Sequence, residues 1–152
     1  QPHIKRLFLE EKEQGITNFR KVVNISSTSG MNGNAGQINY ATAKAGVVGM
    51  AKTMAKEWGR YNVNVNAVGF GLIKTRLTDA DAEKEESLID IEGNKIKVGV
   101  NSAVFQSAKT MIPLGRPGTP QEAAGAIYMF CIPESNYVTG QILMCHGGGF
   151  GL

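Results

Sequence analysis

The apolar residues at the start of the chain change from helical to strand-like spacing. Ile4, Leu7 and Phe8 recur at helical intervals, and Gly15 is placed to end this first helix. The run K-V-V-N-I over residues 21–25 is rich in β-branched residues and lies between polar segments. A continuous apolar run of this length predicts a strand that is buried on both faces of a parallel sheet.

Helical periodicity returns from Asn39 to about Trp58, and Gly59 is placed to end this second helix. Its apolar stripe consists of Val47, Met50, Ala51, Met54 and Trp58. The segment N-V-N-V-N-A-V, residues 62–68, predicts the next strand, with apolar and polar residues alternating over its first part. Helix and strand therefore follow each other twice in the first half of the chain.

A long segment, residues 76–112, separates these elements from the end of the chain. It is charged at its start and is interrupted by glycine. Within it, L-I-D-I-E-G-N-K-I-K-V predicts a β-hairpin, because Gly93 and Asn94 tolerate the positive φ angles of a tight turn. A connection of this length is typical of a functional loop inserted into a domain.

The chain ends with one more helix and one more strand. Thr119 is a good N-cap, Pro120 suits the first helical position and Glu122 supplies the acidic residue of a capping box. Apolar residues continue through Cys131, and the apolar run at residues 141–145 predicts the last strand.

The predicted order is helix, strand, helix, strand, long loop, helix and strand, which indicates an α/β fold of parallel βαβ units with helices on both faces of a sheet. Three parallel strands make a thin sheet, and the first strand would leave an unpaired edge. The chain opens with Q-P-H-I-K, which reads as a helix already under way, and it has no initiating methionine. We therefore interpret the chain as part of a longer domain.

Composition narrows the class of protein. The 152 residues carry a net charge of +3, and the lysines and arginines are scattered, which argues against nucleic acid as a partner. No apolar run is long enough to span a membrane. The cysteines, Cys131 and Cys145, and the histidines, His3 and His146, lie too far apart in sequence for a metal-binding motif. These features favour a metal-free protein of the reducing cytoplasm.

The stretch N-Y-A-T-A-K holds the clearest chemical signal. Tyr40 and Lys44 are four residues apart, so on a helix they share one face. A nearby ammonium favours the ionised phenol, which suits a proton-transfer pair, whereas the alternative is a solvated pair on a surface helix. Ser26 and Ser27 follow the first strand, and in open α/β sheets the active site lies beyond the carboxyl ends of the strands. A loop of residues 28–39 would let a serine hydroxyl, Tyr40 and Lys44 meet at this edge.

The combination resembles the short-chain dehydrogenase/reductase family, most of all its branch of β-oxoacyl-acyl-carrier-protein reductases. Tyr40 follows Ser27 by thirteen positions (40 − 27), which is the family spacing. The matching blocks keep the family order and cover nearly the whole chain: N-I-S-S-x-S-G (24–30), Y-A-T-A-K-A-G (40–46), V-N-A-V-x-x-G-L-I-K-T (65–75), P-L-G-R-P-G-T-P-Q-E-A-A (113–124) and Y-V-T-G-Q-I-L (137–143).

The resemblance implies a role for each matching residue. Tyr40 would be the general acid that protonates a substrate carbonyl, Lys44 would stabilise the tyrosinate and bind the nicotinamide ribose, and Ser27 would donate a hydrogen bond to the same carbonyl. The cofactor, NADP or NAD, would contact Tyr40 and Lys44, and also Gly71, Ile73 and Thr75.

The chain departs from the family pattern in two places. Phe70 precedes Gly71 where the family has a proline that fixes φ. The glycine-rich phosphate loop T-G-x-x-x-G-x-G is not in the sequence, and the glycines of residues 30–36 are better interpreted as turns. The fold class expected for residues 1–152 is therefore the C-terminal portion of a doubly wound Rossmann-type parallel sheet, a single partial domain that lacks the N-terminal phosphate-binding half and carries a substrate loop at 76–112.

The resulting hypothesis is an NAD(P)H-dependent oxidoreductase that interconverts a ketone, such as a 3-oxoacyl thioester, and a secondary alcohol. We expect this chain alone to be inactive, and the complete protein to form a homodimer or homotetramer through helices 1–14 and 40–58. One alternative is a non-catalytic subunit that uses the same fold only to oligomerise. Another is a dehydrogenase of the same family that acts on a different alcohol, a sugar or a steroid.

Overall fold

The computed structural model describes residues 2–75, 88–91, 94–97, 107–108 and 110–149. The elements occur in the predicted order, with a short helix added in the first loop. They are α1 (Pro2–Glu13), β1 (Arg20–Ser27), α2 (Thr28–Asn32), α3 (Ile38–Trp58), β2 (Val63–Phe70), β3 (Leu88–Ile91), β4 (Asn94–Lys97), α4 (Pro120–Tyr128) and β5 (Ile142–Cys145).

The central sheet of the described residues has the strand order β1-β2-β5, and both pairings are parallel. The register places Ser27 beside Phe70 and Phe70 beside Cys145. All three strands therefore end at one edge of the sheet. Helix α3 packs on one face, whereas Ala126 and Phe130 pack on the other face against Val68. This arrangement confirms the predicted α/β fold with helices on both faces.

The β-hairpin predicted within residues 76–112 is confirmed as a separate two-stranded sheet. β3 and β4 are antiparallel, with Leu88 opposite Lys97 and Ile91 opposite Asn94. The predicted turn residue Gly93 lies outside the described residues, as does most of the predicted substrate loop at 76–112.

The prediction that β1 is buried on both faces is wrong. Residues 20–24 are only partly buried, and 40% of Ile25 is exposed. The reason is topological: within the described sheet β1 pairs only with β2, so it lies at an edge. Ser26 and Ser27, expected just beyond the strand, are its last two residues, and they are its two buried ones.

Strand β2 is buried along almost its whole length, including two asparagines that alternate with its valines. Asn66 donates to the carbonyl of Val138 and accepts from the N–H of Gln141. Asn64 donates to the carbonyl of Asn136. Because buried amides need partners, these bonds fix the segment that leads into β5 against the central strand.

Helix α3 begins at Ile38 and ends at Trp58, close to the predicted bounds. Its buried residues are Ala51 and Ala55. Met50 was expected in the buried stripe, but 46% of it is exposed, so that part of the prediction is wrong. The predicted stop at Gly59 is confirmed, because α3 ends at Trp58 and Gly59 is its C-cap residue. Gly59 is not left-handed, since its φ is −54°, and one turn of 3-10 helix follows. The left-handed residue after that turn is Asn62, with φ 55°.

The last helix confirms its predicted capping box. The Thr119 hydroxyl accepts from the N–H of Glu122, and the Glu122 carboxylate accepts from the N–H of Thr119. Arg116 also forms two hydrogen bonds with this carboxylate. The hydrogen bonds from Arg116 and Thr119 lower the pKa of Glu122 from 4.5 to about 2, and the Arg116 bonds are the largest cause. The helix ends at Tyr128, three residues before the predicted end.

The first helix is confirmed as well, with Gly15 at φ 69° after it. None of its residues is buried, although Ile4 contacts the core and the Phe8 ring meets the Tyr61 ring edge-on, with centroids 5.8 Å apart. None of the helices in the described part of the chain is long and apolar enough to cross a membrane.

Candidate active site

Ser27 lies at the carboxyl edge of the sheet and caps the short helix α2. It is 8% exposed, and its Oγ accepts a hydrogen bond of 3.2 Å from the N–H of Ser29. A serine hydroxyl has one hydrogen to donate and two acceptor positions. Because Ser27 uses an acceptor position for the cap, its own hydrogen can be donated to another oxygen.

Helix α2 holds the catalytic candidates close to the strand end. A Cβ added at Gly30 would lie 2.6 Å from the carbonyl carbon of Lys44 and 2.7 Å from its Cβ, so only glycine lets α2 approach α3 this closely. Ser26, which is 2% exposed, donates a 2.8 Å hydrogen bond to the backbone carbonyl of Lys44. Sequence reasoning gave no role to Ser26 or Gly30, although both stand in the matching block 24–30.

Tyr40 and Lys44 share one face of the first turns of α3, as their spacing predicts. The Lys44 Nζ lies over the Tyr40 ring, 5.7 Å from its centroid, within the range of a cation–π interaction. The same Nζ donates a 3.0 Å hydrogen bond to the backbone carbonyl of Ile25. The ammonium is thus held between the end of β1 and the phenol ring, and Tyr40 remains 43% exposed.

Residues 71–75 follow β2 along the same edge of the sheet. The N–H of Gly71 bonds to the carbonyl of Cys145, so the β2–β5 ladder continues past Phe70 without the family proline. A Cβ at Gly71 would lie 2.7 Å from the Cβ of His146 and 3.0 Å from its Cα. Glycine is therefore required at position 71, because the segment after β2 packs closely against the segment after β5.

The middle of this segment is held by a contact that is distant in sequence. Ile73 forms an isolated parallel bridge with Gly118: the carbonyl of Leu72 accepts from the Gly118 N–H, and the Lys74 N–H donates to the Gly118 carbonyl. In such a bridge the N–H and carbonyl of the central residue point to the opposite side. The backbone of Ile73 is thus oriented by Gly118, a residue to which the sequence assigned nothing.

Most of the predicted site residues line one cavity of about 1050 Å³ at this edge. Ser27 and Tyr40 form one part of its lining, and Gly71, Ile73 and Thr75, which follow the neighbouring strand β2, form another part. Lys44 does not line the cavity, since it lies behind the Tyr40 ring and reaches Ile25. The lining also includes residues that were not predicted, among them Gln37, Phe70, Met111 and Ile127.

Cys145, at the end of β5, is another potentially reactive residue at this edge. Burial raises the pKa of the Cys145 thiol, with a further contribution from the Glu122 carboxylate, so this cysteine is a poor nucleophile. Among the described residues no cluster of three or more histidines, cysteines, aspartates or glutamates is arranged to hold a metal ion. The described groups that could take part in proton transfer include the Ser27 and Tyr40 hydroxyls in the cavity lining and the Lys44 ammonium over the Tyr40 ring.

Comparison with known proteins shows which family the chain belongs to. Residues 8–149 match the family model described as enoyl-(acyl carrier protein) reductase. Over 127 residues the chain is 42% identical to the 3-oxoacyl-[acyl-carrier-protein] reductase FabG of Thermotoga maritima, an alignment that covers 84% of this chain and 44% of the relative. The chain belongs to the short-chain dehydrogenase/reductase family. This result confirms the resemblance and makes the chain part of a family of NAD(P)-dependent oxidoreductases.

Solved dehydrogenase structures share the fold of this short-chain dehydrogenase/reductase chain. A short-chain dehydrogenase from Bacillus anthracis is 31% identical and superposes with a TM-score of 0.66, covering 95% of this chain and 49% of that one. A 4-hydroxyisoleucine dehydrogenase complexed with NADH also gives a TM-score of 0.66 at 23% identity, covering 95% of this chain and 51% of that one. The chain spans about half the length of the curated relatives that it matches. The predicted partial Rossmann-type fold is thus confirmed.

Proposed function

We propose that the complete protein uses NADPH or NADH to reduce a ketone to a secondary alcohol, with Ser27, Tyr40 and Lys44 as its catalytic residues. The observation that carries the proposal is that Ser27 and Tyr40 line the same cavity as Gly71, Ile73 and Thr75. Proton donors and a backbone segment suited to a nicotinamide thus border one space that is large enough for a substrate.

The dinucleotide supplies a hydride when it is bound. Negative charge then develops on the carbonyl oxygen, and donors already aimed at that oxygen stabilise it. The Ser27 hydroxyl is fixed by its bond from the Ser29 N–H, so it is oriented before the substrate arrives. Tyr40 transfers its phenolic proton to the oxygen, and the adjacent Lys44 ammonium stabilises the phenolate that remains.

In our proposal, the segment of residues 71–75 binds the nicotinamide end of the dinucleotide. The Gly118 bridge fixes the backbone of Ile73, the residue to which the family resemblance assigns the nicotinamide carboxamide. Gly71 and Thr75 line the cavity together with Ile73. Lys44 does not line the cavity, so its ammonium has to reach past the Tyr40 ring to contact the ribose hydroxyls. An ammonium has three hydrogens to donate, and Lys44 uses one of them on Ile25.

A 3-oxoacyl thioester is the substrate that we favour. The named FabG relative reduces a 3-oxoacyl group on acyl carrier protein, and Phe70, Met111 and Ile127 give the cavity an apolar surface that suits an acyl chain. The activity would belong to fatty acid biosynthesis. The two free cysteines, Cys131 and Cys145, suit a reducing cytoplasm, where we place the protein.

The assembly that we propose is a homodimer or homotetramer through helices 1–14 and 40–58. Both helices expose apolar side chains, with 45% of Leu9 and 46% of Met50 accessible. An oligomer would cover this apolar surface.

The test is a turnover assay on the complete product of the gene that encodes this chain. NADPH and NADH are each offered with a 3-oxoacyl thioester, an enoyl thioester, a steroid ketone and a sugar ketone. Consumption of the reduced dinucleotide with the 3-oxoacyl thioester is expected. Preference for another ketone would change the substrate, and preference for the enoyl thioester would replace carbonyl reduction by double-bond reduction. Absence of turnover with all four would favour a subunit that only oligomerises.

The 152-residue chain by itself is expected to be inactive, because its sequence contains no glycine-rich phosphate loop. Without pyrophosphate contacts, dinucleotide binding weakens by orders of magnitude, since each tenfold corresponds to about 1.4 kcal/mol. Calorimetric titration of the purified chain with NADH and NADPH checks this. Micromolar binding of either would contradict it.

A further inference from the structure

Gln37 is a polar residue on the cavity that the proposed reaction does not use. It is the N-cap residue of α3, and its side chain makes no capping bond to that helix. It precedes Tyr40 by three positions, and both residues line the same cavity. Residues three apart at the start of a helix are neighbours on its surface, so Gln37 stands beside the proton donor.

Two neighbouring side chains fix the orientation of the Gln37 amide. Its Oε1 accepts from the Ser29 hydroxyl at 3.2 Å and from the Asn34 Nδ2 at 2.9 Å. A glutamine amide also has two N–H donors. Among the described residues neither hydrogen on the Gln37 Nε2 has a partner. With the oxygen held on one side, the NH₂ group is the end of the amide that remains available to a ligand.

The same network reaches the carbonyl-binding serine. Ser29 donates its side-chain hydroxyl to Gln37, and its backbone N–H bonds to the Ser27 Oγ. One residue therefore orients two groups that line the cavity. The separation between the Ser27 hydroxyl and the Gln37 amide is set by this small, hydrogen-bonded unit rather than by free side-chain rotation.

We propose that Gln37 is a specificity-determining residue that donates a hydrogen bond to a second carbonyl of the substrate, so that the site selects 1,3-dicarbonyl compounds over simple ketones. The inference rests on the proposed function, in which Ser27 and Tyr40 bind the ketone oxygen at C3. The thioester oxygen at C1 is then the acceptor for the Gln37 NH₂. A site built to hydrogen-bond a substrate group discriminates strongly against analogues that lack it, because the polar partner is left unpaired.

The test compares two substrates in the complete gene product. One is a 3-oxoacyl thioester, and the other is the matched ketone in which a methylene replaces the thioester carbonyl. Gln37→Glu keeps a side-chain oxygen for Ser29 and Asn34 but removes the NH₂ donors. Gln37→Met is of similar length and removes both functions. Gln121→Met, at an exposed position of α4 that does not line the cavity, is the control.

The measured quantity is the ratio of kcat/KM for the thioester to kcat/KM for the matched ketone. Both Gln37 variants are expected to lower this ratio by about 10-fold or more, as the loss of one specific hydrogen bond predicts, and the control should keep it. If Gln37→Glu keeps the ratio while Gln37→Met lowers both activities alike, Gln37 only braces Ser29 and the inference is wrong. It is also wrong if neither variant changes the ratio. Failure of the proposed function is a separate result, since the unmodified protein would then reduce neither substrate.

Discussion

Two groups of residues in the cavity lining are held in place by different means, and we call them the hydroxyl wall and the backbone wall. The hydroxyl wall, Ser27 and Tyr40, presents side-chain donors that are positioned by α2 and the start of α3. The backbone wall, residues 71–75, is positioned by main-chain bonds to Cys145 and Gly118. Chemistry on the first wall therefore depends on single atoms, whereas recognition on the second depends on chain geometry. Substitutions should separate the two.

Tyr40→Phe should produce the largest effect, confined to the hydroxyl wall. It removes the transferable proton and almost no volume, so kcat should fall about 1,000-fold, within the range of general acid catalysis, while dinucleotide affinity stays nearly the same. Steady-state kinetics and dinucleotide titration of the complete gene product measure the two quantities. Near-normal turnover would refute the assignment of Tyr40 as the general acid.

Lys44→Met should affect both walls, because Lys44 contacts the Tyr40 ring and, in our proposal, the ribose. Loss of one preorganised donor predicts a fall of about 100-fold in kcat. Dinucleotide affinity should weaken as well, which distinguishes this variant from Tyr40→Phe. A Lys44→Met protein with normal dinucleotide affinity would remove Lys44 from the cofactor site.

Gly71→Ala should act through the backbone wall alone. The new Cβ would lie 2.7 Å from the Cβ of His146 and 3.0 Å from its Cα, so main chain has to move. Overpacking of this kind lowers the free energy of unfolding by about 1–3 kcal/mol, and dinucleotide affinity should fall with the displaced segment. Gly125→Ala in α4 is the matched control, since nothing lies within 4 Å of its Cβ. Equal stability of both variants in urea unfolding would contradict close packing at Gly71.

The smallest effect is expected for Glu122→Gln, at the cap of α4 behind the backbone wall. The pKa of Glu122 is lowered to about 2, so the stabilisation from its ionised form is complete above its ordinary value of 4.5 and is lost as pH falls toward 2. The variant should be less stable than the unmodified protein at pH 7, and the difference should shrink on acidification between these two values. Urea unfolding at pH 7 and at pH 3 measures it. A difference that grows at low pH would be inconsistent with the Arg116–Glu122 pair.

The parts that the sequence predicted are those set by local patterns. The capping box at Thr119 and Glu122 depends on residues three apart, and the shared face of Tyr40 and Lys44 depends on one helical turn. Strand β2 was found from its β-branched alternation. Each of these signals lies within a few neighbouring positions, where propensity and side-chain chemistry act directly.

The parts that it missed depend on contacts between distant residues. Gly118 orients Ile73 from 45 positions away (118 − 73), and no local pattern encodes that bridge. The edge position of β1 was predicted and is confirmed, but its apolar run suggested two covered faces, and how far each face is covered depends on elements distant in sequence. Helix α2 was read as a loop because T-S-G-M-N has poor helical propensity, and it forms with Ser27 as its cap and with Gly30 packed against α3.

The most direct test of the central claim is deuterium transfer. The complete gene product is supplied with a 3-oxoacyl thioester and NADPH or NADH that carries deuterium at the transferable position of the nicotinamide, and the product is analysed by mass spectrometry and NMR. Hydride transfer to the carbonyl predicts one deuterium on C3, the carbon that carries the new hydroxyl group. A product without deuterium at that carbon, or no product at all, would contradict the assignment of this cavity as a carbonyl-reducing active site.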